Sequence, residues 1–287
     1  MTEPTTTQRK RLRAHFGFTK TPFHKAMKAG QMYDSQSQRE LVAGLEMWTE
    51  IGGIALCTGP AGVGKSISLR RFVQSLDERR FHLIQFTYLP GTVNGFLRSM
   101  SRALGLRMRL HGADLFDAAR EHLAGYEETH GPHPLILIDD AEGLSVGVLD
   151  ALRRLTAHDL DAEQRFSILL AGTEEVAHTL RLPALESLRS RVAYAHALRP
   201  FTLEDTRNYL HFHLQRAEVE PTLLTDDACS KIFHASQGKP RHVNQLALHA
   251  LIAAAAQGRD AIDDRFMQQM IAAHPLYRTS THSEPDA

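Results

Sequence analysis

The sequence contains few cysteines, two among 287 residues. Cys57 lies in an apolar segment typical of a strand, and Cys229 lies in a segment typical of a helix. Two isolated cysteines exclude a disulfide framework and a cysteine-based zinc site, and they suit a reducing compartment. We therefore expect a cytoplasmic protein.

The chain also lacks an excess of charge of either sign, since 33 basic side chains balance 33 acidic ones. A net charge of zero produces no overall field that would attract nucleic acid or an anionic membrane surface. Any affinity for nucleic acid must then come from a local group of basic side chains.

Long hydrophobic segments are missing as well. The longest apolar stretch, residues 246–256, is interrupted by His249, and it is shorter than the roughly 20 residues that a membrane-spanning helix needs. Residues 1–10 are polar and threonine-rich, unlike a secretory signal peptide. We expect no membrane partner.

Short apolar segments alternate with longer amphipathic ones as far as Pro200. This alternation predicts a mostly parallel sheet covered by helices, and the purely helical pattern that follows predicts a second, all-helical domain. The predicted strands are residues 54–58, 81–87, 134–138 and 166–171, and the predicted helices include residues 37–50, 202–216, 225–236, 241–257 and 263–273.

A phosphate-binding loop (P-loop) follows the first predicted strand. Its glycines allow the backbone N–H groups to approach phosphate oxygens closely, and the helix that begins after it contributes its N-terminus. Lys65 is expected to contact the terminal phosphates of ATP, and Ser66 to bind Mg²⁺. A match of this kind arises by chance in about 1% of chains of this length, but the strand before it and the helix after it favour a real site. The predicted nucleotide contacts are Gly59, Pro60, Ala61, Gly62, Val63, Gly64, Lys65, Ser66 and Ile67.

A second nucleotide-binding element ends the third predicted strand. The apolar run of residues 135–138 leads into Asp139 and Asp140, a Walker B pattern. Asp139 is expected to hold Mg²⁺ through water, and Asp140 to polarise the attacking water, with Glu142 as the alternative. The competing structural interpretation is that these acids cap a helix that begins near Ser145.

Further motifs lie in residues 16–23, 138–144, 152–156, 169–175 and 236–244. Through them and the P-loop, over nearly the whole chain, the sequence resembles the ExeA-like AAA+ ATPases, and within them the soluble forms encoded beside transposases and related to TnsC, TniB and MuB. Asp140 stands where that family usually has glutamate, and Thr173 where glutamine or asparagine is commoner. Both differences predict slow hydrolysis rather than loss of ATP binding.

The resemblance implies roles for four further residues. Thr173 would be the sensor of the γ-phosphate, although it could instead be a helix N-cap. Arg241 would be the second sensor, although it could be a solvated surface arginine. Arg191, or as second choice Arg189, would be the arginine finger that reaches a neighbouring subunit's nucleotide; two arginines in a polar helix are also common on any surface.

The resemblance also implies the architecture, an AAA+ P-loop core with a parallel sheet between helices, followed by a small helical lid. The predicted boundaries are a basic N-terminal arm at 1–35, the core at 36–200, the lid at 201–275 and a disordered tail at 276–287. Phe16, Phe18 and Phe23 are expected to dock the arm.

The function implied by the resemblance is that of a transposition regulator. ATP-bound subunits would assemble into a ring or helix on double-stranded target DNA and recruit or activate a DDE-type transposase, with a target-selector protein as a further partner. Two alternatives remain open: an ExeA-like ATPase that energises a secretion or pilus system, and an ATP switch that does not bind DNA.

The resemblance also implies a DNA contact after the second predicted strand, because the related transposon ATPases line the inside of their helical assembly with the corresponding segment. Val93, Phe96, Leu97, Met100 and Leu104 recur at helical spacing, which leaves basic residues on the opposite side. After this helix, Arg107 and Arg109 alternate with apolar residues, so both can project to one face of an extended strand or loop tip. A solvated surface is the competing interpretation, and the basic arm at 9–28 is the next place to look. The four predicted DNA contacts are Arg98, Arg102, Arg107 and Arg109.

Overall fold

The structure is a computed structural model, in which residues 6–23, 32–86, 90–156 and 165–277 are described. The strands are β1 Ile54–Thr58, β2 Phe81–Phe86, β3 His133–Ile138, β4 Ser167–Ala171 and β5 Val192–Ala197. The helices are α1 Thr6–Phe16, α2 Gln36–Ile51, α3 Lys65–Ser75, α4 Val93–Ala103, α5 Gly112–Ala124, α6 Tyr126–His130, α7 Val146–Leu155, α8 Glu174–Leu180, α9 Glu186–Arg189, α10 Leu203–Arg216, α11 Asp226–Ser236, α12 Pro240–Ala256 and α13 Asp264–Ala273.

The chain divides into two compact units. The first, Gln36–Arg199, contains the sheet and is called the sheet unit below. The second, the helical unit, combines the described residues of Met1–Ser35 with those of Pro200–Ala287.

All strand pairs in the sheet unit are parallel, in the order β2-β3-β4-β1-β5. Every residue of β1 and β4 is buried, because helices cover both faces of the sheet and each strand is a continuous apolar run. The prediction of a parallel sheet between helices, followed by a helical part, is confirmed.

The sequence analysis missed β5. This strand lies at the edge of the sheet beside β1, and its residues alternate between partly buried and exposed. Three of its six residues are alanines, so it lacks the apolar run that identified the other strands. The edge position explains the weak pattern, since one side of β5 has no neighbouring strand.

Large apolar side chains fill the space between the sheet and its helices. On one face Leu41, Leu45 and Trp48 of α2 are almost fully buried, and on the other Phe96 and Met100 of α4 are fully buried. Burying each such side chain stabilises the fold by about 1.5–3 kcal/mol. The spacing of apolar residues that predicted these two helices therefore reflects their packing on the sheet.

The helical unit includes the N-terminal segment. Leu12, Phe18 and Phe23 are buried in one core with side chains of α10 to α13, and the N–H of Thr19 donates to the carbonyl of Ala217 over 3.2 Å. Residues 6–16 form a helix, and Phe16, Phe18 and Phe23, which were expected to dock the arm, pack in the core of the C-terminal helices. Residues 24–31 of the expected basic arm lie outside the described residues.

Three further helices of this unit, α10, α11 and α13, begin at capping residues. Thr202 forms a capping box with Asp205, and the side chains of Thr225 and Asp263 accept hydrogen bonds from the first turns of α11 and α13. Of the expected tail at 276–287, only Leu276 and Tyr277 are described, and the Tyr277 hydroxyl donates to Gln245 Oε1 over 2.6 Å.

Within the described ranges, no helix is both long enough and apolar enough to cross a membrane.

Candidate functional site

The P-loop joins β1 to α3 and adopts a backbone that requires glycine. Gly59 and Gly64 have φ angles of 151° and 112°. A Cβ at Gly59 would lie 2.6 Å from the carbonyl oxygen of Leu198, and one at Gly64 would lie 2.9 Å from Gln38 Nε2. Larger residues at these positions would open the loop, so the glycines maintain a tight turn whose N–H groups can face an anion.

Lys65, the first residue of α3, is held inside this turn. Its side chain is 8% exposed, and Nζ donates to the carbonyl oxygens of Gly59 at 2.7 Å and Pro60 at 3.3 Å. The carbonyls partly offset the cost of burying the ammonium group. The cation is therefore held at the P-loop itself, next to Gly59 and Pro60.

Ser66 and Asp139 meet at the same edge of the sheet. Ser66 Oγ donates to Asp139 Oδ2 over 2.8 Å, although β1 and β3 are separated by β4 in the sheet. A hydroxyl and a carboxylate side by side provide the oxygen ligands that Mg²⁺ prefers. The predicted metal residues are thus brought together, and their chemistry fits the ion.

Asp140 is exposed and has a left-handed backbone conformation, with φ of 54° and ψ of 41°. Its N–H donates to Asp139 Oδ1 over 3.0 Å, so the backbone of Asp140 holds the carboxylate of Asp139 in place. The competing cap interpretation does not describe the following helix, because Ser145 caps α7 by accepting a bond from the N–H of Val148.

Glu142, the alternative to Asp140, faces a different group. Its Oε2 accepts a hydrogen bond of 3.2 Å from the backbone N–H of Thr173. The sequence analysis did not foresee this contact, because nothing in the chain signals a bond between a side chain and a backbone amide that far apart.

Thr173 stands directly before α8, in the N-cap position, but its side chain accepts no capping hydrogen bond. Its Oγ1 is buried and has no partner within the described structure. A buried hydroxyl without a partner is costly unless a ligand or water satisfies it. The Thr173 side chain therefore does not cap α8, and its role as sensor remains a prediction.

The two finger candidates differ in their surroundings. Arg191 Nη1 donates to Thr156 Oγ1 at the end of α7 over 2.9 Å, in a partly buried contact. Arg189 ends α9 on the surface, where Nη1 makes a longer contact of 3.3 Å with the carbonyl of Arg181. Only Arg189 has its guanidinium group at an exposed position.

Arg241 is an exposed residue in the first turn of α12. It belongs to the helical unit, whereas the P-loop belongs to the sheet unit. Its role as second sensor remains a prediction.

Cys57, the fourth of the five residues of β1, is fully buried. Burial raises the pKa of its thiol to about 12, with a smaller opposite contribution from Lys65. The thiol therefore stays protonated at neutral pH, which excludes a nucleophilic role.

The four predicted DNA contacts are all exposed and are together called the arginine surface here: Arg98, Arg102, Arg107 and Arg109. The first two lie on α4, and the last two lie in the irregular segment before α5, a loop rather than a strand. Within the described residues none of the four forms an ion pair. Between and beyond the loop arginines, Met108 and Leu110 are 50% and 87% exposed.

The chain is similar to known proteins in sequence and in fold. Residues 50–180 match the family model described as an AAA domain. The chain is 30% identical over 255 residues to general secretion pathway protein A of Aeromonas hydrophila; the match covers 86% of this chain but only 45% of that protein.

Solved structures show the same fold at low identity. The ORC2 protein of Aeropyrum pernix is similar with a TM-score of 0.65 at 14% identity, over 88% of this chain and 71% of that one. The ORC1 protein of the same organism, in complex with DNA, has a TM-score of 0.59 at 18% identity, over 86% and 67%. Together with the P-loop and the Walker B turn, the match to the family model shows an AAA ATPase domain in residues 50–180, and the solved structures show its fold.

Proposed function

We propose that this ATPase assembles on duplex DNA in its ATP-bound state and recruits or stimulates a DDE-type transposase. The observation that carries the DNA part is the arginine surface, where four exposed guanidinium groups lie on α4 and the loop after it without an acidic partner in the described structure. The transposase part rests on the resemblance to the transposon-encoded ATPases.

The charge distribution supports the proposal, because the protein as a whole has no excess of positive charge. With a net charge of zero, attraction to DNA must be local, and unpaired arginines are suited to bidentate contacts with phosphate. The loop arginines are also unconstrained by secondary structure, so they can adjust to a phosphate backbone. Such contacts position a protein on DNA without reading its sequence.

The fold is compatible with this activity. The similar ORC1 protein of Aeropyrum pernix is in complex with DNA. That likeness concerns the fold alone, so the DNA contact in this chain is argued from its own arginines.

The chemistry of the nucleotide site is assigned to five residues. Lys65 would hold the terminal phosphates, and Ser66 with Asp139 would hold Mg²⁺. Bound MgATP supplies the phosphoanhydride bond that is hydrolysed. Asp140 would orient the attacking water, and the unpartnered hydroxyl of Thr173 would contact the γ-phosphate or that water.

Arg189 is the better candidate for the finger that acts across a subunit boundary. A finger must leave its own subunit's surface, and Arg191 is instead bonded to Thr156. We therefore reverse the order of preference that the sequence suggested, and we propose that Arg189 completes the site of a neighbouring copy.

A second candidate function is the energising of a secretion system. Its support is the 30% identity to general secretion pathway protein A, although this chain spans less than half of that protein. In that case the ATP-bound state would bind a protein rather than DNA. The third possibility is a switch that binds ATP and a protein partner but not DNA. Like the secretion ATPase, it would show no binding in a DNA-binding assay.

Fluorescence anisotropy with a labelled duplex tests the proposal, with and without a non-hydrolysable ATP analogue. The parent should bind more tightly with the analogue, largely without sequence preference, and the triple variant Arg102→Ala/Arg107→Ala/Arg109→Ala should lose this binding. The parent's log affinity should fall with log salt by roughly one unit per phosphate neutralised.

The matched control removes three other exposed arginines, Arg70→Ala/Arg79→Ala/Arg265→Ala, and should bind DNA like the parent. A parent that hydrolyses ATP but never binds duplex DNA would contradict the proposal and favour the secretion system or the DNA-independent switch. Equal loss in both triple variants would show that total charge matters rather than this surface.

A further inference from the structure

Glu142 lies two residues after Asp140, in the short 3₁₀ turn Ala141–Gly143 that follows β3. From there its carboxylate reaches the end of β4, where Oε2 accepts the N–H of Thr173 at 3.2 Å. The contact links the Walker B turn to the residue whose buried hydroxyl has no partner. Adjacent parallel strands make this possible, because Ile138 pairs with Leu170 just before both turns.

The carboxylate approaches so closely because residue 172 is glycine. A Cβ at Gly172 would lie 2.4 Å from Glu142 Oε2, 2.5 Å from Val176 Cγ2 and 3.2 Å from the backbone nitrogen of Glu142. The two turns therefore pack against each other across a position that has no room for a side chain. The hydrogen bond is part of a built contact rather than an incidental surface approach.

We propose that Glu142 is a positioning residue for Thr173 and not the group that activates water. An ionised carboxylate that accepts a backbone N–H makes a charge-assisted hydrogen bond, which is stronger than one between neutral groups. That bond fixes the backbone of Thr173, and hence the direction of its hydroxyl, relative to Asp139 and Asp140. The inference deepens the proposed assignment of the nucleotide site and does not depend on DNA.

Positioning and base catalysis demand different things of the side chain. A positioning residue needs only an acceptor oxygen, which Glu142→Gln retains in a side chain of the same length. A base needs a carboxylate, which Glu142→Gln and Glu142→Ala both remove. The two variants therefore separate the roles.

The first measurement follows the Thr173 amide by NMR in the protein without nucleotide. In Glu142→Ala this amide should shift upfield and exchange with solvent at least about tenfold faster, while Glu142→Gln should stay close to the parent. Glu175→Ala is the matched control, because it removes an exposed carboxylate from the first turn of α8, near Thr173, without removing the bond. Unchanged exchange in Glu142→Ala would overturn the inference.

Gly172→Ala tests the same contact from the other side. The added methyl group should displace the carboxylate and produce the amide changes of Glu142→Ala while Glu142 is still present. If Glu142→Ala fails to fold, Gly172→Ala and Glu142→Gln provide the comparison. An unperturbed Thr173 amide in folded Gly172→Ala would contradict the proposal.

Steady-state kinetics gives the second readout. Glu142→Ala should lower kcat about tenfold with little change in KM for ATP, and Glu142→Gln should retain most of the parent's kcat. Equal losses in the two variants would identify Glu142 as the base. Because both measurements are made without DNA, a failure of the DNA proposal leaves them unaffected.

Discussion

The nucleotide site and the arginine surface lie in the same compact unit, but their side chains are held in opposite ways. In the nucleotide site Lys65 is bound by backbone carbonyls, and Ser66 by Asp139. On the arginine surface the described structure gives the four guanidinium groups no acidic partner. Hydrolysis requires groups that are already in place, whereas a phosphate backbone can be met by side chains that adjust on binding.

The largest loss of ATP turnover should come from changing Arg189, the proposed finger that completes the nucleotide site of a neighbouring copy. Arg189→Ala should lower the ATP turnover of the assembled protein by about 10³-fold, since an arginine at the transferred phosphate contributes on that order. The monomer should still fold and bind ATP. Turnover measured after mixing with Asp140→Asn, which retains Arg189, should recover in part.

Arg191→Ala is the comparison for this experiment. Loss of its bond to Thr156 should lower the free energy of unfolding by about 1 kcal/mol in denaturant unfolding. Mixing this variant with Asp140→Asn should not increase ATP turnover. If Arg191→Ala loses turnover and is complemented while Arg189→Ala is not, the order that the sequence suggested is right.

A turnover loss of about 10²- to 10³-fold is expected from Asp140→Asn, because it removes the carboxylate that orients water. Asparagine tolerates the left-handed conformation at this position, so the turn should remain intact. ATP affinity by calorimetry and ATP-dependent DNA binding should both persist. Parent-like turnover in Asp140→Asn, together with a loss in Glu142→Gln, would assign the base to Glu142.

Lys65→Ala should weaken ATP binding by about 100-fold or more, since it removes charge-assisted bonds to the terminal phosphates. Calorimetry checks this, and thermal unfolding shows whether the variant is folded. In the same variant the arginine surface is unchanged, so DNA binding without nucleotide should equal that of the parent. Unchanged ATP affinity would disprove the P-loop assignment.

The smallest effect should come from a single member of the arginine surface. Arg107→Ala should weaken DNA binding a few-fold and reduce the salt slope by about one unit, whereas Arg107→Lys should keep most of both. An affinity in Arg107→Ala equal to that of the parent, with the same slope, would remove this residue from the contact. Arg79→Ala, also exposed, serves as the control.

Much of the sheet could be predicted because β1, β3 and β4 contain continuous apolar runs. The first strand was predicted at the bounds that the structure shows, Ile54–Thr58. Both β5 and α1 were missed for the same physical reason. Alanines alternate along β5 and polar residues dominate α1, so each is held by tertiary contacts that leave a weak local pattern.

In the nucleotide site, too, some features could be predicted from the sequence and others could not. The P-loop is contiguous, so its sequence alone indicates phosphate binding, and the Walker B turn is identified by its own strand. The bond between Glu142 and Thr173 depends on the register of β3 with β4, and the engagement of Arg191 with Thr156 depends on the packing of α7. Neither could be read from sequence spacing.

The shared core of residues 12–23 and helices α10 to α13 bears on how the protein folds during synthesis. Domains usually fold as units, beginning with those that emerge first from the ribosome. Here the sheet unit can complete its core once β5 has emerged, but Leu12, Phe18 and Phe23 must wait for α10 to α13. This segment is therefore made before the sheet unit but buried after it, and its apolar side chains remain accessible to chaperones while the sheet unit is synthesised.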